Sequence, residues 1–85
     1  MKTFNYTVKD EMGLHARPAS CIVKEAKKFK SEIVLEYNGK SVEAGRLMAL
    51  MQLNVKQGSS ITVKAVGEDE DLAIDAFHKL LQENL

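Results

Sequence analysis

At 85 residues the chain has room for one small core and not for two conventional domains, so a single domain over residues 1–85 is expected. Hydrophobic residues at 45% with charged residues at 28% separate it from disordered and fibrous chains. The 12 basic and 12 acidic side chains cancel, so no global field favours nucleic acid, and no apolar run approaches the ~20 residues of a membrane span.

The opening segment MKTFNYTVKD lacks the apolar centre of a signal peptide, which leads to an expected cytoplasmic location without direct membrane insertion. Cys21 is the only cysteine, so neither an internal disulfide nor a zinc cage of thiolates is available. Its apolar helical surroundings favour a small packing residue over the alternative, a nucleophile paired with histidine.

In chain order, Phe4, Tyr6 and Val8 alternate with Thr3, Asn5 and Thr7 as in a strand with one buried face. Asp10 to Gly13 reads as a loop, and Ala19, Ile22, Val23, Ala26 and Phe29 then recur at helical spacing. Ile33, Leu35 and Tyr37 alternate again before Asn38-Gly39, a dipeptide that supplies the positive backbone angles of a tight hairpin turn.

After Gly45, the residues Leu47, Met48, Leu50, Met51 and Leu53 are too dense for one narrow apolar stripe. Leu50 is expected inside and Met48 outside. Ile61, Val63 and Ala65 mark a fourth strand between Gly58 and Gly67. The acidic run Glu68 to Asp71 suits the start of a last helix carrying Leu72, Ala73, Ala76, Phe77, Leu80 and Leu81; it lacks the spacing of a calcium loop, and no metal is assigned.

The order strand, helix, strand, strand, short helix, strand, helix indicates α+β. The half-buried alternation of each strand places all three helices on one face of a four-stranded antiparallel sheet, an open-faced sandwich. A right-handed crossover from the first strand to the second leaves room between them for the last one.

Chemistry concentrates in Gly13-Leu14-His15-Ala16-Arg17-Pro18-Ala19. Pro18 has no backbone donor and is tolerated only in the first turn of a helix, so the helix starts just before it. His15 or a close neighbour then takes the N-cap, where Ser, Thr, Asp or Asn is the usual choice. Free amides at a helix start form an anion-binding nest, for which phosphate is the natural guest. The partial positive charge of the helix end also disfavours imidazolium and favours a neutral, nucleophilic ring. Arg17 adds a planar fork of donors matched to phosphoryl oxygens. Gly13 serves both as turn residue and as a point of close backbone approach. His78 has no comparable neighbours and is read as a surface or boundary residue.

With these residues the chain closely resembles, over essentially its whole length, the HPr family of histidine-containing phosphocarriers of the phosphoenolpyruvate-dependent sugar phosphotransferase system. The resemblance implies that His15 takes a phosphoryl group on Nδ1 from phosphorylated Enzyme I and passes it to the IIA domain of a sugar transporter. Arg17 and the amides of Ala16 and Arg17 would hold the phosphate. Such a carrier is a protein co-substrate rather than a turnover enzyme and binds no cofactor; magnesium and phosphoenolpyruvate are needed by Enzyme I. The implied docking surface combines Ser20, Lys24 and Lys27 with Leu47, Met48 and Met51 on a monomer that binds no nucleic acid.

Two positions depart from the family pattern. Many members have a kinase-regulated serine where this chain has Arg46, so there is no regulatory serine here and that modification is unavailable. Met12 replaces a small polar residue, and Asp10 and Glu11, read as ordinary loop residues, place negative charge against the helix end and Arg17. Two other readings compete: an HPr-like regulator that binds partner proteins without routine phosphoryl traffic, and an α+β domain binding RNA or a small ligand. Neutral net charge and the lack of an aromatic platform weigh against RNA.

Overall fold

The computed structural model describes residues 1–85. It contains β1 (Lys2–Thr7), α1 (Ala16–Ala26), β2 (Glu32–Tyr37), β3 (Lys40–Glu43), α2 (Leu47–Gln52), β4 (Ser60–Val66) and α3 (Glu70–Asn84). The four strands form one antiparallel sheet in the order β1-β4-β2-β3, so the last strand lies between the first two, as the crossover argument predicts.

Period-two alternation sorts the side chains of the sheet. Phe4, Val63, Leu35 and Val42 stand opposite one another across successive strands on the face that meets the helices. One step along, Asn5, Thr62, Glu36 and Ser41 form the matching row on the other face. There the polar groups satisfy each other: Thr62 Oγ1 donates to Asn5 Oδ1 (2.7 Å), Ser41 Oγ to Glu36 Oε2 (3.2 Å), and Lys64 Nζ lies 2.7 Å from Glu36 Oε2. Asn38 and Gly39 take φ of 51° and 81°, the paired positive angles that close the β2–β3 hairpin.

The core joins Ile22 of α1, Leu50 of α2, and Phe77 and Leu81 of α3 to Ile61 and Val63 of β4. Leu50 is 0% exposed and Met48 69%, so the crowded apolar segment divides as its density requires. Leu72 belongs to the helical pattern of α3, yet its side chain lies outside the core.

One boundary differs from its expectation. The apolar spacing carries α1 to Phe29, but the helix ends at Ala26 with Lys27 as its C-cap. The last turn tightens first, Lys28 N donating to Glu25 O (3.0 Å) and Phe29 N to Ala26 O (3.5 Å), and Asp69, 38 and 39 residues away, then takes the amide hydrogens of Ser31 and Lys30, each at 2.9 Å, together with the Ser31 hydroxyl. Amides drawn outward to a carboxylate cannot continue the helical ladder. Phe29 still packs on the core, its ring centroid 6.4 Å from that of Phe77.

The acidic run is likewise divided. Asp69 is the N-cap of α3 but makes no side-chain bond to its own helix, while Glu70 and Asp71 occupy the first turn, where the helix dipole favours them.

Candidate functional site

The site is built on the loop between β1 and α1. Val8 N donates to Ser59 O (2.9 Å), and the amides of Lys9 and Asp10 both donate to Leu85 O (2.7 and 2.8 Å). A turn follows in which Gly13 N donates to Asp10 O (3.0 Å) and Met12 N to Asp10 Oδ1 (2.8 Å), a side-chain and backbone clamp typical of aspartate in turns. Leu14 is buried and its amide donates to Val55 O (3.0 Å). The loop is thus tied to the segments after α2 and α3 before it reaches the histidine.

His15 is the N-cap of α1, with extended backbone at φ −92° and ψ −171°. Its carbonyl accepts the Ala19 amide (3.1 Å), the first bond of the helix, but its side chain makes no capping bond. The ring is partly exposed at 29%, with Nε2 3.8 Å from Asp10 Oδ2, while Nδ1 has no protein partner. The amides of Ala16 and Arg17 have no protein acceptor, and Pro18 offers none to satisfy. Two free donors therefore sit at a helix start beside an unpartnered ring nitrogen, an arrangement suited to an anion.

Arg17 is exposed and forms no ion pair, which leaves its guanidinium fork open. Ser20 is half-buried on α1; Lys24 and Lys27 are exposed and unpaired with any acid. On α2, which packs against α1, Leu47 is half-buried while Met48 and Met51 reach solvent. Arg46 caps α2 from an extended backbone, again without a side-chain cap, and pairs with Glu43 through Nε at 3.5 Å.

One sequence reading is refined at this point. Asp10 and Glu11 are not equivalent loop acids: Glu11 is exposed and unpaired, whereas Asp10 organises the turn and faces the ring of His15. The spacing of Asp10 before Met12 and Gly13 carried the signal for that turn. His78 is an exposed residue of α3, in keeping with its reading as a surface or boundary residue, and its ring meets Phe4 edge-on with centroids 5.0 Å apart. Cys21 is a half-buried free thiol within α1.

Fold and site define a small open-faced sandwich that presents a histidine and free amides at the start of a helix. The family model described as the PTS HPr component phosphorylation site matches residues 2–83. The phosphocarrier protein HPr of Buchnera aphidicola is 54% identical over 71 residues, covering 84% of each chain. A histidine-containing phosphocarrier protein solved in a study of the divergence of Mycoplasma from Gram-positive bacteria superposes with a TM-score of 0.94 at 39% identity, covering 96% of this chain and 93% of that one. HPr from Thermoanaerobacter tengcongensis, 41% identical, superposes with a TM-score of 0.92 as HPr-C-His, covering 98% of this chain and 93% of that one. Solved as a dimer it gives 0.77, covering 98% and 95%.

The chain belongs to the HPr family, the phosphocarriers of the phosphotransferase system.

Proposed function

We propose that His15 is the phosphoryl acceptor, taking its group from phosphorylated Enzyme I and passing it to a IIA domain of a sugar transporter. The observation that carries this reading is the unpartnered Nδ1 of a helix-capping histidine beside two amides, Ala16 and Arg17, that have no acceptor. In the transfer the Nδ1 lone pair forms a bond to phosphorus as the donor's bond to phosphorus breaks, and the donor nitrogen recovers its electron pair. The two amides and the Arg17 guanidinium meet the negative oxygens of the phosphoryl group. Onward transfer repeats the step with the roles exchanged, so stabilisation of the phosphohistidine has to stay close to that of donor and acceptor.

Docking would use Ser20, Lys24 and Lys27 of α1, the two lysines unpaired with any acid, together with Leu47, Met48 and Met51 of α2, which packs against α1. An apolar patch edged by cations fits acidic partners. The carrier acts as a monomeric, cofactor-free cytoplasmic domain spanning residues 1–85, and the demand for magnesium and phosphoenolpyruvate lies with Enzyme I. No helix is long and apolar enough to cross a membrane.

The test is intact mass after incubation with phosphoenolpyruvate, magnesium and Enzyme I, for the native chain and His15→Ala. One acid-labile phosphoryl adduct on the native chain, absent from the variant, is the expected result. No adduct with the cognate Enzyme I, shown active on another carrier, would move the reading to a binding regulator.

A further inference from the structure

We propose that Asp10 is a positioning residue that sets the tautomer of His15, keeping the ring proton on Nε2 and the lone pair on Nδ1. The inference takes its importance for transfer from the carrier reading above, but the tautomer is a property of the resting protein.

Asp10 is held at three points. Its amide donates to Leu85 O, its carbonyl accepts from Gly13 N, and Oδ1 accepts from Met12 N. The remaining oxygen, Oδ2, is the one 3.8 Å from His15 Nε2. The backbone clamp thus spends one carboxylate oxygen on the turn and directs the other at the ring. That separation exceeds a direct hydrogen bond, so the pull is electrostatic or passes through one water. No other side chain competes: Glu11 makes no pair with the ring, and Met12 is 71% exposed with no polar group to offer.

In a neutral imidazole one nitrogen carries the proton and the other the lone pair, and the partner of one decides the state of the other. A carboxylate facing Nε2 stabilises Nε2–H, which leaves Nδ1 as the nucleophile on the side without a protein partner. When Nδ1 binds phosphorus, Nε2 keeps its proton and the ring gains positive character that the same carboxylate offsets. In this chain an acid from the preceding turn therefore performs the orientation, with an apolar methionine at position 12.

Asp10→Asn separates this role from the turn. The amide oxygen can still accept from Met12 N, but an NH2 donor would now face Nε2 and favour the lone pair there. The measurement is two-bond 15N–1H correlation of the histidine rings at about pH 8.5, where imidazole is neutral. His78, beside Phe4, is the internal reference. The native protein should show His15 mainly as Nε2–H, and Asp10→Asn should lower the ratio of Nε2–H to Nδ1–H by about threefold or more, the size of an exposed electrostatic interaction. Asp10→Ser, able to cap the turn without reaching the ring, should fall between.

An unchanged ratio in Asp10→Asn, or a native ring mainly Nδ1–H, overturns the proposal. Because no phosphoryl donor is present, this failure is distinct from failure of the carrier reading, which the mass experiment detects on the native chain.

Discussion

Gly13 lies directly against the backbone of Val55: a Cβ at position 13 would press into the Val55 carbonyl oxygen and stand 2.9 Å from Lys56 Cα. The same carbonyl accepts the Leu14 amide, so the loop before α1 is seated on the segment after α2 by one backbone group. With φ at +67°, Gly13 also occupies the left-handed region. Its turn role and its close-approach role are therefore separate constraints that coincide. Gly13→Ala should lower stability by on the order of 3 kcal/mol, read as a fall in the urea midpoint. The expectation fails if the variant unfolds with the native midpoint.

The contact between Asp69 and Ser31 predicts an acid dependence. The Asp69 carboxyl is held below the usual carboxylate range, first by the Ser31 hydroxyl and then by the Lys30 amide. A depressed folded-state pKa means stability that is present above the unfolded value of about 3.9 and lost as pH falls through the lower folded value. As pH falls below ~4 the native urea midpoint should fall more steeply than that of Asp69→Asn. Equal slopes would show that this carboxylate does not couple folding to protons.

Leu50 and Met48 share one short helix but should separate folding from docking. Leu50 is fully buried, and Leu50→Ala should cost about 2–5 kcal/mol through lost burial and the remaining cavity. Met48→Ala removes an exposed side chain and should leave stability within about 0.5 kcal/mol. Its effect should appear as weaker binding to Enzyme I, measured by titration calorimetry. Unchanged affinity would take Met48 out of the docking surface.

Arg46 occupies the N-cap of α2 without a side-chain bond to the helix. A serine there could accept an amide hydrogen from the first turn, so Arg46→Ser should raise stability by about 0.5–1 kcal/mol despite loss of the exposed pair with Glu43. A drop in melting temperature would show that the Arg46–Glu43 pair outweighs the cap.

Several features were legible in the residues because they depend on short-range backbone constraints. Pro18 located the start of α1 and placed His15 at its cap; Asn38-Gly39 located the hairpin; strand alternation assigned one face to the core and the other to solvent. What only the tertiary structure decided depends on groups far apart in the chain. The segment after α1 is held by Asp69 across 39 residues, and no local pattern at Phe29 could show that the amides of Lys30 and Ser31 would be claimed from elsewhere. The difference between Asp10 and Glu11 is of the same kind. The two acids are adjacent in sequence, but only folding determines which carboxylate closes the turn and meets the His15 ring, since that requires the loop to be pinned at Leu85 and Val55 first.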